Sequence, residues 1–166
     1  MASSAGRGAA KRRDVHERAL GLLAVRQRSR AELRRRLVGA GFDADEVDAE
    51  LGRLQAVGLV DDLAFAEALV EHAIGARAEG RRSVARRLTI AGVSREIAEQ
   101  VLSRIAPDDE GDRALALAAS RVGRLRGLPP DKAFGRLSGL LARRGYAPDI
   151  ARWASRKALA LEGVGD

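Results

Sequence analysis

The sequence predicts an all-α protein, built as an elongated tandem array of three three-helix repeats that resemble helix-turn-helix domains. Three observations support this fold class. Ala, Leu and Arg, which are strong helix formers, dominate the 166 residues, and aromatic residues make up only 3% of them. Val, Ile and Thr are sparse, which disfavours sheets. A set of positions also recurs at a period near fifty residues, and such periods are typical of helical repeats.

The repeat is centred on a turn glycine. Gly41, Gly92 and Gly145 lie 51 and 53 residues apart, and an apolar residue follows each of them. A leucine precedes each glycine by four residues, and a second apolar residue precedes it by eight. Because a unit of this size cannot bury much core alone, we expect neighbouring repeats to pack on one another. The recurring apolar positions are Leu33, Leu37, Phe42, Val47, Val84, Leu88, Val93, Ile97, Leu137, Leu141, Tyr146 and Ile150.

We divide the chain into a tail and three repeats. The first thirteen residues are mostly small or basic, carry four cations and no acid, and lack the apolar segment of a secretory signal. We expect them to form a disordered basic tail. The boundaries are 1–13 for the tail, 14–58 for the first repeat, 59–106 for the second and 107–166 for the third.

In the first repeat, the spacing predicts helices that begin at Asp14, after Ser29 and at Asp43. Ser29 and Glu32 have the spacing of a capping box, in which both side chains satisfy backbone N–H groups of the first turn. Acidic residues crowd the start of the third helix, where the helix dipole favours them. Gly58 ends the repeat. The residues expected to face inward are Val15, Ala19, Leu22, Leu23, Leu33, Leu37, Val38, Val47, Leu51 and Leu54.

In the second repeat, Asp61 and Asp62 are the predicted caps of the first helix. Gly80 separates that helix from a basic second helix, Gly92 turns the chain, and Ser94 caps the third helix. The residues expected to face inward are Phe65, Ala66, Leu69, Val70, Ala73, Val84, Leu88, Ile97, Val101, Leu102 and Ile105.

In the third repeat, Pro129 and Pro130 interrupt helix formation, and Asp131 caps the helix that follows. Pro148 suits the first turn of the last helix. We expect Trp153 to pack in the core, and the alternative role for its ring is stacking against a nucleic-acid base. The other residues expected to face inward are Leu115, Leu117, Val122, Leu137, Leu141, Ile150 and Ala154.

The distribution of the net charge of +7 is more informative than its size. In each repeat the basic residues cluster in the middle, and the acidic residues lie on either side. This pattern suits a polyanion or an acidic protein surface, whereas the alternative is a set of solvated helix faces. The arginines expected to supply the central basic surface are Arg34, Arg35, Arg81, Arg82, Arg86 and Arg87.

Catalytic and metal-binding chemistry has little support in the sequence. There is no cysteine, and His16 and His72 are too few for a clustered metal site. Phosphate-loop and dinucleotide-binding motifs are absent. No apolar run approaches the roughly 20 residues that span a bilayer. We therefore predict no catalytic residue, no metal site, no cofactor and no association with a membrane.

A helix-turn-helix protein that reads duplex DNA places the helix after the turn in the major groove. Here that helix is acidic in the first repeat and mixed in the second, whereas the helix before the turn is basic. The pattern argues against the reading of base edges and favours contacts to phosphates or to acidic protein. A free-standing DNA-binding transcription factor and a helical protein–protein adaptor remain as alternatives.

Two segments carry a resemblance to a known family. The first is the run G-L-V-D-D-L-A-F-A, followed by Arg77 and the run G-R-R-S-V-A-R-R-L-T-I-A-G-V, and the second is the run S-R-A-E-L-R-R-R-L-V-G-A-G-F. The first resembles the central repeat of the RecX family, bacterial regulators of the RecA recombinase, and the second resembles that family's N-terminal repeat. The third repeat resembles the family only loosely. Leu63 and Ala64 stand where the family commonly has polar residues, and Arg86 stands near a usual acid. The positions that carry the central resemblance are Gly58, Asp61, Asp62, Phe65, Ala66, Arg77, Gly80, Arg81, Arg82, Leu88 and Gly92.

The resemblance implies a non-catalytic regulator that lies in the groove of the RecA–DNA filament. It also implies inhibition of the ATPase, the strand exchange and the SOS co-protease activity of RecA. We expect the basic faces, Arg77 included, to contact RecA and both single- and double-stranded DNA. We further expect a cytoplasmic monomer.

Overall fold

The computed structural model describes residues 4–161, with side chains over residues 14–106 and 109–161. Every regular element in this part of the chain is helical, which confirms the predicted all-α class. The helices are α1 (Ser4–Val25), α2 (Arg30–Gly39), α3 (Ala44–Ala56), α4 (Asp62–Gly75), α5 (Arg81–Ala91), α6 (Arg95–Ser103), α7 (Pro107–Val122), α8 (Pro130–Arg143) and α9 (Pro148–Leu161), with a short 3-10 helix (Gly123–Leu125) after α7.

The first helix begins earlier than the sequence predicts. α1 begins at Ser4, whereas Asp14 was the predicted first residue of the helix and a disordered tail was expected before it. Residues 4–13 contain no proline and consist mostly of Ala, Arg and Lys, whose high helix propensity extends the helix beyond its amphipathic part. The first three residues of the expected tail lie outside the described residues.

The helices fold into two compact units. Of the described residues, 4–66 and 89–97 form the first unit, and 67–88 and 98–161 form the second. The division passes through α4, α5 and α6. Each unit therefore combines one terminal repeat with part of the middle repeat.

The core of the first unit lies where α1, α2 and α3 meet. Burial of each leucine there stabilises the fold by roughly 2 kcal/mol. Leu22 and Leu23 pack at the edge of this core and are only partly buried. Val38 was expected to face inward but is 37% exposed, because it lies about 100° around the helix from the inward Leu37. The buried residues are Val15, Ala19, Leu33, Leu37, Val47, Leu51, Leu54 and Val60.

The core of the second unit lies between α7, α8 and α9. The prediction that Trp153 packs in this core is wrong, because Trp153 is 43% exposed. Ala151, Ala154 and Ala158 occupy the inward face of α9, and Trp153 lies off that face. The buried residues of this core are Ala114, Ala118, Val122, Ala133, Leu137, Leu141, Tyr146, Ala151, Ala154, Ala158 and Leu159.

The middle repeat contributes buried residues of its own. Phe65, Leu69 and Val70 were expected to face inward and are half-buried. The fully buried apolar residues of this repeat are Ala66, Ala73, Val84, Leu88, Val93, Val101, Leu102 and Ile105.

Side-chain caps begin several helices as the sequence predicts. The Ser29 hydroxyl accepts a hydrogen bond from the Glu32 N–H at 3.1 Å. The carboxylates of Asp43 and Asp61 each accept two backbone N–H bonds of their own helices at 2.9 to 3.1 Å. The other half of the capping box does not form, because the Glu32 carboxylate pairs with Arg28 and other arginines.

Two carboxylates cap helices that are distant in the sequence. Asp62 was expected to cap its own helix, α4. Its carboxylate instead accepts a hydrogen bond from the backbone N–H of Arg30 at 2.7 Å, at the start of α2. Glu110 of α7 accepts one from the backbone N–H of Arg81 at 2.8 Å, at the start of α5. Arg30 and Arg81 are 51 residues apart, so each capped helix is the middle helix of its repeat.

The turns that contain Gly92 and Gly145 pack against the same helix starts. In the second unit, Gly80 donates its N–H to the carbonyl of Arg144 at 2.8 Å, and Arg82 donates to that of Gly145 at 3.1 Å. A Cβ atom on Gly145 would overlap with the backbone of Ser83, and the φ of Gly145 is +88°. Glycine is therefore required at this turn for both space and conformation.

The first unit repeats this arrangement. A Cβ atom on Gly92 would lie 2.5 Å from the Cβ of Ala31, and Gly92 also has a positive φ. The Ser29 hydroxyl donates to the carbonyl of Ala91. Ser29 and Gly80 occupy equivalent positions, 51 residues apart, and each contacts the carbonyl that precedes a turn glycine.

We predict that Gly145→Ala destabilises the chain more than Gly127→Ala does. Gly127 has a similar φ of +83°, but nothing lies within 4 Å of an added Cβ atom. Gly127→Ala should therefore lower the free energy of unfolding by about 1 kcal/mol, because alanine is strained in the left-handed conformation. Gly145→Ala should lower it by about 2–4 kcal/mol, because the overlap of the added Cβ atom with Ser83 adds to this strain. Urea denaturation of the full chain measures both values, and equal losses would contradict the close approach.

Candidate polyanion-binding surfaces

The arginines of α2 are partly committed to internal ion pairs. Arg34 holds Asp48 of α3 through two parallel hydrogen bonds, at 2.9 Å from its Nε and 3.0 Å from its Nη2. The hydrogen bond from Arg34 lowers the pKa of Asp48. Arg30 approaches the same carboxylate at 3.3 Å. Arg34 therefore fastens α2 to α3, in addition to any external contact.

Glu32 gathers three further cations of the first unit. Burial raises its pKa, but hydrogen bonds from Arg36 and Arg28 and the charge of Arg26 outweigh burial, so that the pKa is lowered overall. Arg35 is exposed and makes one 3.3 Å hydrogen bond to the carbonyl of Ile90. Of the two α2 arginines predicted to contact a partner, Arg34 and Arg35, only Arg35 forms no ion pair with a carboxylate of the described residues.

On α5, two of the predicted arginines have structural contacts. The Arg81 guanidinium donates to the carbonyl of Leu102 at 2.6 Å. Arg87 donates to Glu79 at 2.9 Å, and the Ser83 hydroxyl donates to the same carboxylate at 2.8 Å. Glu79 is only 8% exposed, so Arg87 neutralises a buried charge.

Arg82 and Arg86 differ from their neighbours on α5. Both are exposed, and they lie four residues apart on one face of the helix. Neither side chain forms an ion pair with a carboxylate in the part of the chain that the structure describes. Arg77, just before α5, is exposed and lies 3.9 Å from Glu79. Arg82 and Arg86 therefore form a pair of free cations, which we call the α5 arginine face.

The third repeat carries a basic groove that the sequence did not identify as a site. Its open cavity of about 670 Å³ lies between α7, the 3-10 helix and α8. Its apolar part is formed by Leu125, Leu137 and Leu140. The run of basic residues was visible in the sequence, but their gathering around one groove depends on helix packing. The cations that line the groove are Arg121, Arg124, Lys132, Arg136 and Arg143.

Apart from the arginines, the positions that carry the central resemblance lie at turns, at helix caps or in and beside the core. Gly58 and Gly92 have φ values of +73° and +75°, which only glycine adopts at low cost. Asp61 and Asp62 cap two different helices. Ala66, Gly80 and Leu88 are buried, and Phe65 is half-buried.

The histidine and carboxylate side chains of the described residues form no group of three or more that could hold a metal ion. His16 contacts Glu50 at 2.6 Å, and His72 is exposed on α4. Over residues 4–161, no helix combines the length and the apolar character needed to cross a membrane.

Comparison with known proteins matches the chain to one family. The model described as RecX, first three-helix domain, matches residues 16–54, and that described as RecX, second three-helix domain, matches residues 61–102. Both matches fall within the first two predicted repeats.

Curated relatives extend this similarity over most of the chain. The Regulatory protein RecX of Mycobacterium avium is 39% identical over 133 residues, which cover 80% of this chain and 77% of that protein. That of Streptomyces coelicolor is 35% identical over 144 residues, or 87% of this chain and 77% of the relative. That of Thermobifida fusca is 35% identical over 161 residues, or 95% and 87%.

Solved structures share the fold. The crystal structure of RecX from Lactobacillus salivarius aligns with a TM-score of 0.80 over 90% of this chain and 97% of that chain, at 19% identity. A second crystal structure of regulatory protein RecX aligns with a TM-score of 0.75 over 86% and 70%, at 20% identity. At these identities the likeness concerns the fold alone.

We predict that replacing Arg82 and Arg86 together by alanine weakens binding to single-stranded DNA. If each contacts one phosphate of a single strand, the magnitude of the slope of log affinity against log salt falls by about 1.4, because each contact contributes about 0.7. The free energy of unfolding should change by less than about 0.5 kcal/mol, because both side chains are exposed. Affinity measured over a salt series, with urea denaturation in parallel, checks both expectations.

The matched control is Arg87→Ala on the same helix. It leaves the buried Glu79 carboxylate without its main partner and should cost about 1–3 kcal/mol of stability. An unchanged salt slope in the Arg82/Arg86 variant would contradict the assignment of the α5 arginine face.

Proposed function

The chain belongs to the RecX family of regulatory proteins, and we propose that it is a non-catalytic regulator, most simply an inhibitor, of RecA. In this proposal it binds in the groove of the RecA–DNA filament and modulates the ATPase, recombination and SOS co-protease activities of RecA. It acts as a monomer in the cytoplasm, where RecA works. The three sequence repeats, over 14–58, 59–106 and 107–166, are its proposed binding modules.

The observation that carries the proposal is the separation of roles among the arginines of α5. Arg81 and Arg87 are used to hold the fold, whereas Arg82 and Arg86 are exposed without a carboxylate partner among the described residues. Two unneutralised charges on one helix face repel each other and are disfavoured in isolation. Such a face gains free energy when it meets an anion, and a nucleoprotein filament supplies phosphates and protein carboxylates.

Several modest contacts can add up in a filament. Arg35 in the first unit, the α5 arginine face and the basic groove each present cations of their own. The first contact raises the effective concentration of the others, so that weak contacts combine into tight binding. We propose Arg35, Arg77, Arg82 and Arg86 as the direct contacts of the first two repeats. Arg34, Arg81 and Arg87 hold the elements that present them.

A transcription factor that reads duplex DNA is the less favoured alternative. The helix after the first turn, α3, carries Asp45 and Glu46 in its first turn, where a recognition helix would meet the DNA. Asp48 of the same helix is already held by Arg34. A protein–protein adaptor is compatible with the fold. An adaptor role does not by itself explain the unpaired arginines, however, unless the partner protein is acidic.

We predict that this protein slows ATP hydrolysis by RecA on single-stranded DNA when it is added well below the RecA concentration. A gradual fall in rate at substoichiometric dose indicates action on filament growth or disassembly, because one molecule then affects many RecA subunits. The Arg82/Arg86 double-alanine variant should require several-fold more protein for the same effect.

The contrary result is equally clear. If the rate is unchanged at equimolar dose and the protein shifts free duplex DNA in a parallel gel, the regulator proposal fails and the transcription-factor alternative is favoured. If neither RecA activity nor DNA mobility changes, the adaptor alternative is favoured.

A further inference from the structure

The single tryptophan of the chain lies at the surface of the third repeat. Trp153 of α9 is 43% exposed, although tryptophan is highly buried on average. It faces an open cavity of about 540 Å³ that Asp149 and Ala160 also line. A large exposed aromatic ring outside the core requires an explanation other than packing.

Three cations and one acid, Asp149, line the cavity that this ring faces. Arg156 and Lys157 lie three and four residues after Trp153, so they share its side of the helix, and Arg152 lies beside it. None of the three forms an ion pair with a carboxylate over the described ranges 14–106 and 109–161. The site thus combines an exposed ring with cations whose charge is not neutralised there.

The position of the ring is defined by its neighbours. A Cβ atom on Gly111 of α7 would lie 3.6 Å from Cζ3 of the indole, so the ring rests against a residue that has no side chain. The Nζ of Lys157 lies 4.9 Å from the ring centroid, as a cation–π contact. The Arg156 guanidinium lies 5.6 Å from the ring centroid of Phe134. The indole therefore lies against Gly111 and also carries an exposed lysine over its ring.

We propose that Trp153 is a stacking platform for an unpaired base of single-stranded nucleic acid, and that Arg152, Arg156 and Lys157 contact the neighbouring phosphates. An aromatic ring among cations is the arrangement with which proteins bind single strands without reading their sequence. The bases of a duplex are already stacked on one another, so their faces are not available to the indole.

The lysine above the ring fits this role. Stacking of a base on an aromatic ring is stronger than an exposed cation–π contact, so the base displaces the Lys157 ammonium. The ammonium then lies close to the strand and can contact a phosphate. An acidic protein segment would satisfy the cations but would make no specific use of a planar ring.

The inference does not depend on the regulation of RecA, because the isolated chain and an oligonucleotide suffice to test it. Since the chain has one tryptophan, the emission obtained by exciting tryptophan selectively over Tyr146 reports on this site alone. We would titrate the full chain at low salt with an oligothymidylate of about 15 nucleotides. Anisotropy of a labelled strand measures binding, and the emission of Trp153 measures stacking.

The expected result is quenching of the emission that saturates together with the anisotropy. An abasic strand of equal length carries the same phosphates and should bind more weakly, with little quenching. Trp153→Ala should weaken oligothymidylate binding about tenfold, and Trp153→Phe should restore most of the affinity. The thermal midpoints of both variants should stay close to that of the parent chain, which separates a binding role from a structural one.

Several outcomes would overturn the proposal. The first is that oligothymidylate binds without changing the emission and that Trp153→Ala binds it with undiminished affinity. The second is that the abasic strand quenches the emission equally. The third is that no binding occurs at low salt. Quenching by polyglutamate but not by the oligonucleotide would assign the surface to an acidic protein partner instead. Unchanged emission with undiminished affinity of Trp153→Ala, or equal quenching by the abasic strand, leaves the α5 arginine face and inhibition of the RecA ATPase untouched. The two proposals can therefore fail separately.

Discussion

The backbone of the turn at Gly145 lies directly against the start of α5, and the arginine surface of the second unit depends on this approach. Gly80 and Arg82 each donate a backbone N–H to the turn, and no side chain fits between the two segments. These bonds satisfy N–H groups that the first turn of a helix leaves unpaired. With the backbone of Arg82 held in this way, its side chain is directed outward, as is that of Arg86 one turn later.

The first unit uses the same solution with different atoms. The Ser29 hydroxyl replaces the backbone N–H of Gly80 in reaching the carbonyl before the turn glycine, and Asp62 takes the capping role that Glu110 has in the second unit. The sequence period of about fifty residues therefore reflects a recurring junction between helices as well as a recurring core. A loss of either turn glycine would move a basic helix and not merely loosen a loop.

Much of the fold could be predicted from the sequence, because helix propensity, caps and apolar spacing are local signals. Ser29, Asp43 and Asp61 begin helices as expected. The partners of Asp62 and Arg87 could not be predicted in the same way. The carboxylate of Asp62 reaches a helix start 32 residues away, and Arg87 neutralises a carboxylate that only folding buries. Six arginines look alike in the sequence. Breaking a pair that holds a buried carboxylate costs about 1–3 kcal/mol, whereas an exposed pair contributes little. The prediction that Trp153 is buried failed for a related reason. Alanines fill the inward face of α9, and the larger indole ring lies outside the core.

The central claim is that the α5 arginine face is free so that it can meet an anionic partner. A cryo-electron microscopy map of RecA filaments on single-stranded DNA, decorated with this protein, tests it most directly. The account predicts that Arg82 and Arg86 lie within salt-bridge distance of phosphates or of acidic side chains of RecA, with Arg87 still paired to Glu79. A map in which α5 faces solvent while another surface contacts the filament would contradict it.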